Sequence, residues 1–171
     1  FVTSRYTLDS KDSSARKYMA ERADLLGAIR LPNNAFRANA GTDVVSDIVF
    51  LQKRDHPIDR EPDWVQLGKT ENGISINQYF VDHPEMVLGE LTTESTQYGR
   101  EESTVLPLEG ADLGEQLKEA ISHLDGEYRE AEHTAPDVGE SETSRDFLPA
   151  DPNVKNFSYT VVDGEVYYRE N

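Results

Sequence analysis

The chain has 171 residues, with 17 Lys/Arg against 33 Asp/Glu and a net charge of -16. Its hydrophobic fraction of 36% lies below the roughly 45–50% of ordinary globular domains, so part of it is expected to stay outside any core. The lack of cysteine excludes a disulfide framework and thiolate metal sites. No window holds the ~18 apolar residues of a membrane helix, so a cytoplasmic protein without a membrane partner is expected.

Residues 1–54 read as strand, helix, strand, loop, strand. Phe1–Ser4 has neither an initiator Met nor a signal-peptide pattern and reads as a strand end, which leads us to expect a piece of a longer protein. Residues 13–23 read as a helix with Ser13 or Ser14 as N-cap and with Ala15, Tyr18, Met19 and Arg22 on one face, the Arg22 stem lying on that stripe. Leu25–Leu31 reads as a strand stopped by Pro32. Val44–Leu51 is apolar enough for a central strand covered on both faces.

Residues 55–124 form an α+β extension. Asp63–Leu67 and Gly73–Ile76 flank Glu71-Asn72-Gly73, a hairpin signal. Asn77 is expected to cap a short helix through Tyr79, Phe80 and Val81 that restarts at Pro84. Over 111–124, Asp112 with Glu115 approaches a capping box, and Leu113, Leu117, Ala120, Ile121 and Leu124 follow the spacing of one buried face. Residues 125–152 are acidic and rich in Ser, Thr, Pro and Gly, a flexible-linker composition. In 153–171, Asp163-Gly164 between Phe157–Val162 and Glu165–Tyr168 predicts a β-hairpin, marginal unless it docks on something.

Charge is uneven along the chain. Residues 1–60 hold 10 Lys/Arg and 8 Asp/Glu, and the remainder 7 and 25. Contact with DNA is therefore expected in the first third, the rest repelling phosphate.

The run Leu25-Leu26-Gly27-Ala28-Ile29-Arg30-Leu31-Pro32-Asn33-Asn34-Ala35-Phe36, followed by Ala40-Gly41-Thr42-Asp43 and Asp47-Ile48-Val49-Phe50-Leu51-Gln52-Lys53, resembles the last third of N6-adenine DNA methylases related to the modification subunits of type I restriction systems. With Tyr79-Phe80-Val81-Asp82-His83-Pro84-Glu85-Met86-Val87-Leu88-Gly89 and the closing hairpin, the whole chain resembles a segment of the large methylase and helicase fusion proteins of bacterial mobile elements. The fold class implied is α/β: the last strands and helices of a Rossmann-like methyltransferase sheet, ending in a seventh, antiparallel strand, with an appended helix, acidic linker and C-terminal β-hairpin. The partners implied are DNA, an N-terminal methyltransferase half and a helicase domain in the same polypeptide. The intact parent would use S-adenosylmethionine. This chain has no Gly-x-Gly turn and no Asn/Asp-Pro-Pro motif, so it is expected neither to bind that cofactor nor to methylate DNA alone.

The resemblance sets the loop from Pro32 to Asp43 beside the flipped target base. Asn33, Asn34, Phe36, Arg37 and Asn39 are the candidate contacts, since amides read base edges, aromatics stack and Arg binds phosphate. The plainer reading is a polar loop with Phe36 tucked into the core. His56, His83, His123 and His133 lack metal-ligand spacing, and Asp82, His83 and Glu85 around Pro84 read as a helix-boundary turn rather than an acid/base cluster. A second reading of the chain is a non-catalytic acidic module that mimics DNA and binds a protein partner.

Overall fold

The computed structural model describes residues 1–41, 43–96, 99–124, 126, 152–163 and 165–169, in two compact units, 1–131 and 132–171. It mixes helices and strands, and every strand pair is antiparallel. The expected linker 125–152 lies almost wholly outside the described residues.

The first sheet joins β1 (Val2–Ser4), β2 (Ala23–Arg30) and β3 (Ser46–Lys53) in the order β1-β3-β2. β3 is central and antiparallel to both neighbours, so β1 and β2 run in the same direction. This is the strand expected from the apolar run at 44–51, shifted two residues because Val44 stays exposed outside the ladder. Val49 is buried, and Ile48 and Phe50 pack from the other face. The ladder slips between Leu25 and Gly27. A Cβ on Gly27 would lie 2.3 Å from Leu124 Cδ2, so a larger residue there would push the Leu124 side chain aside.

Helix α1 (Tyr6–Asp9) buries Leu8, and α2 (Ser14–Arg22) buries Arg16 and Ala20. The expected apolar face of α2 holds at Met19, which packs against the core, and is corrected at Tyr18. Tyr18 is 61% exposed, with the Arg22 guanidinium 3.7 Å over its ring, and Arg16 and Ala20 are buried beside Met19 instead. Burying Arg16 is possible because its guanidinium donates to the carbonyls of Val65 at 2.7 Å and Ser10 at 2.8 Å, offsetting its desolvation. The helix start also differs: Ser13 makes no side-chain cap, and Asp12 Oδ1 accepts from the Ser14 amide at 2.9 Å.

A one-turn helix, α3 (Arg37–Ala40), follows β2. Asp63–Val65 is a 3-10 turn rather than part of a strand, and it buries Trp64 and Val65. The expected hairpin then forms from β4 (Leu67–Lys69) and β5 (Ser75–Asn77), with Gly73 at φ 80° in its turn. Asn77 Oδ1 accepts from the Tyr79 amide and caps α4 (Gln78–Asp82), and Pro84 opens a second 3-10 turn. A hairpin not expected from sequence follows, β6 (Glu90–Ser95) with β7 (Glu101–Leu106). Its Thr residues favour strand, but its glutamates hide the alternation. Helix α5 (Leu113–Ser122) has the predicted Asp112 cap. It sets Leu113, Leu117, Ala120 and Leu124 on the core, whereas Ile121 is 52% exposed, because the contact stripe is narrower than the apolar one.

In the second unit, β8 (Ser158–Val162) pairs with β9 (Glu165–Arg169) across the predicted Asp163 turn.

Candidate functional site

Two strands end and one begins at the same edge of the first sheet: β1 at Ser4, β2 at Arg30 and β3 at Ser46. The loop 32–43 spans this edge, and backbone bonds hold its stems. The Leu31 amide donates to Ser46 O at 2.9 Å, Val44 to Asn33 O at 2.9 Å, and Asn33 to Val105 O at 2.8 Å. The last of these ties the loop to β7. Gly41, at φ 65°, ends α3 in the left-handed conformation that glycine tolerates.

All five candidate residues therefore lie on one short loop, but they do not share an environment. Asn33, Asn34 and Phe36 are half-buried, and Arg37 and Asn39 are exposed. Phe36 packs against the core, as in the plainer reading of the loop. Arg37 is forked onto Asp43, Nε to Oδ1 and NH2 to Oδ2, both at 2.6 Å. The pair holds the Arg37 guanidinium above, and the Asp43 carboxyl below, its ordinary pKa. An exposed pair like this adds little to stability, so phosphate could compete with Asp43 for it.

The same holds more broadly in the first sixty residues, where every arginine is engaged. Arg5 pairs with Glu102, Arg22 with Glu21, Arg30 with Asp9 and Asp47, Arg37 with Asp43, and Arg54 and Arg60 with Asp24. Arg16 is spent on buried carbonyls. The local net charge of this segment thus overstates the cationic surface it offers.

Beneath the loop lies a network that sequence reasoning missed. Arg30 and Asp47 are directly paired across β2 and β3 and have 0% exposed side chains. The Arg30 guanidinium also reaches both oxygens of Asp9, at 2.7 and 3.0 Å, and stacks 4.4 Å over Phe80. Asp9 Oδ1 accepts from the Asn77 amide at 2.9 Å. Asn77 Nδ2 donates to Leu8 O and Trp64 O, both at 2.8 Å. No buried side-chain polar atom among the described residues lacks a partner, the condition for a polar core to stabilise rather than weaken a fold. Burial pushes the Asp47 carboxyl up despite its bond to Arg30, whose own pKa is raised by its two carboxylates. The available signal was one Arg and one Asp, each interrupting an otherwise apolar strand. With every valence used inside, the network can set the stems of the loop but presents no group to a ligand.

An open groove of about 650 Å³ lies elsewhere in this unit, with Ile74, Phe80, Val81 and Leu91 as its apolar lining and Lys69, Glu71 and Asn72 at its polar rim. The His83 ring lies 4.6 Å from Tyr79, and its Nδ1 is 3.3 Å from Glu85 Oε1. Asp82 is turned to Gln78 Nε2 at 2.7 Å. The three residues follow the helix-boundary turn and converge on no common point. Among the described residues no cluster of His, Asp and Glu could hold a metal ion, and no helix is long and apolar enough to cross a membrane. No protein-family model, no curated protein and no solved structure matches this chain.

Proposed function

We propose that the chain is part of an N6-adenine DNA methyltransferase-like protein, in which it completes a Rossmann-like sheet and supplies part of the target-base side. The observation that supports this reading is the sheet itself. β1 and β2 run in the same direction and a last strand, β3, is antiparallel to both, as the sequence resemblance implies. Loop 32–43 leaves the carboxyl end of β2, where ligands bind in open α/β sheets. DNA, an N-terminal methyltransferase half and a helicase domain are the partners under this reading.

S-adenosylmethionine does not fit the residues present. Its diphosphate-free adenosine end still needs a glycine turn after a strand, and the positive-φ glycines described here, Gly41, Gly73, Gly99 and Gly110, stand singly. The cofactor and the methyl transfer belong, on this proposal, to the other half of the parent.

The test uses Arg37 and Asp43. Fluorescence anisotropy of the chain with a short labelled duplex at low salt should show weak, salt-sensitive binding. Arg37→Ala should weaken it and lower the log–log salt slope by about 0.9, one phosphate contact. Asp43→Asn, which frees Arg37, should tighten it more than the control Asp59→Asn. Binding indifferent to both loop changes would remove the base-side role.

The engagement of every arginine in the first sixty residues favours a second reading, an acidic interaction module. In that case the chain should ignore DNA in the same titration and bind a basic protein instead.

A further inference from the structure

The second unit presents an apolar face that its own strands leave bare. Tyr159 is the cross-strand partner of Tyr168, and Val161 of Val166. Residues two apart on a strand, and partners directly across a ladder, share one face, so these four side chains form one patch. They are 74%, 49%, 65% and 69% exposed, respectively, and the two tyrosine rings touch at a centroid distance of 5.0 Å. Phe157, just before β8, is 70% exposed and held at φ 59°, a conformation that is costly for a bulky residue. A lone two-stranded hairpin is marginal in water, and this one exposes its most apolar side chains.

We propose that this face is the interface between two copies of the chain, packed hairpin to hairpin about a two-fold axis. Its area is one reason. With aromatic side chains carrying about 150–250 Å² each, the patch offers roughly 600 Å² per copy, and two such faces reach the ~1,200 Å² at which specific interfaces begin. Charge is another. The chain carries -16, but residues 153–171 hold Lys155 and Arg169 against Asp163, Glu165 and Glu170, so the hairpin carries little of that charge and two copies can approach there. Shape is the third. The exposed large apolar residues of the first unit are fewer at any one place, Phe1 beside Val2, Leu108 near Leu106, and Tyr6, Tyr18, Val44, Ile58 and Ile121 singly along the chain. An apolar sheet face is well covered by another sheet face, the two packing about 10 Å apart.

The experiment is sedimentation equilibrium of the full 171-residue chain from about 1 to 500 µM, the range of a weak dimer. A monomer–dimer equilibrium is expected that tightens with added salt as the repulsion between acidic copies is screened. Val161→Glu should raise its dissociation constant at least about tenfold, whereas Thr160→Glu, the same charge on the opposite face, should leave it within about threefold. Because Val161→Glu could unravel the hairpin, isotope-filtered NOEs between labelled and unlabelled wild-type copies provide a second test: cross-peaks are expected between Tyr159 or Tyr168 rings and Val161 or Val166 methyls. A chain that stays monomeric throughout, a dimer indifferent to Val161→Glu or dissociated equally by Thr160→Glu, or a monomer whose hairpin face is covered by its own first unit, each overturns the proposal.

Discussion

Arg30 and Asp47 face each other across β2 and β3, and the guanidinium closes a two-point contact on the carboxylate, Nε to Oδ1 at 2.8 Å and NH2 to Oδ2 at 2.9 Å. Because Arg30 also holds Asp9, one cation is the shared counter-charge of two buried carboxylates. The sheet, α1 and, through Asn77, the β5–α4 junction all depend on it.

Arg30→Met should therefore cost about 3–5 kcal/mol in urea unfolding, since it leaves Asp9 and Asp47 without a counter-charge in the core. The double variant Arg30→Met with Asp47→Leu should recover part of that loss, because an uncompensated charge is removed along with its partner. A single variant within about 1 kcal/mol of the parent would mean that water reaches the site and the network is not the clasp described.

The pH dependence of stability follows from Asp47, whose carboxyl is held above the ordinary range, chiefly by burial. Its neighbours are Arg30, which lowers it most through the direct bond and charge, Asp9, which raises it, and Arg5, which lowers it. With the folded-state pKa above the unfolded value of about 3.9, the folded state takes up the proton first. Stability from this group accordingly rises as pH falls through the folded pKa, and the gain is complete once the unfolded carboxyl also titrates. Asp47→Asn cannot titrate. The stability difference between parent and Asp47→Asn should shift in favour of the parent as pH is lowered from 7 toward about 4, measured by urea midpoints at each pH. A flat or opposite trend would show that Arg30 outweighs burial.

Asn77→Ala should destabilise the fold by about 2–3 kcal/mol, because it strands the carbonyls of Leu8 and Trp64 and removes the cap of α4. Trp64 is the only tryptophan and is 8% exposed, so its emission reports directly on this junction. A red shift with an earlier thermal transition is expected. An unchanged midpoint would mean that water replaces the amide at no cost.

Features set by neighbours in the chain were legible from sequence. Asn77 and Asp112 cap the helices they were expected to cap, Asn72-Gly73 and Asp163 turn their hairpins, Pro84 restarts a turn, and the apolar run after Val44 is the central strand. Each depends on φ/ψ preference or on a hydrogen bond spanning a few residues, and such terms do not need the rest of the molecule. The site loop was legible as a loop, but its internal division was not. Whether Phe36 packs inward and whether Arg37 is free depend on the core behind the one and on Asp43 beside the other.

What only the tertiary structure decided are the pairings that bring distant polar groups into a dry interior. Arg16 looked like the solvent side of α2, yet it is 1% exposed because Val65, 49 positions away, turns a carbonyl toward it. Asp9 and Asp47 lie 21 and 17 positions from Arg30 in the chain, and no local pattern pairs them. Burying any one alone would be prohibitive, and burying them together is not, because each supplies the counter-charge and hydrogen bonds that the others lose with water. That compensation is a property of the arrangement in space, carried by no single segment, and so periodicity and composition register these residues only as interruptions in an apolar pattern.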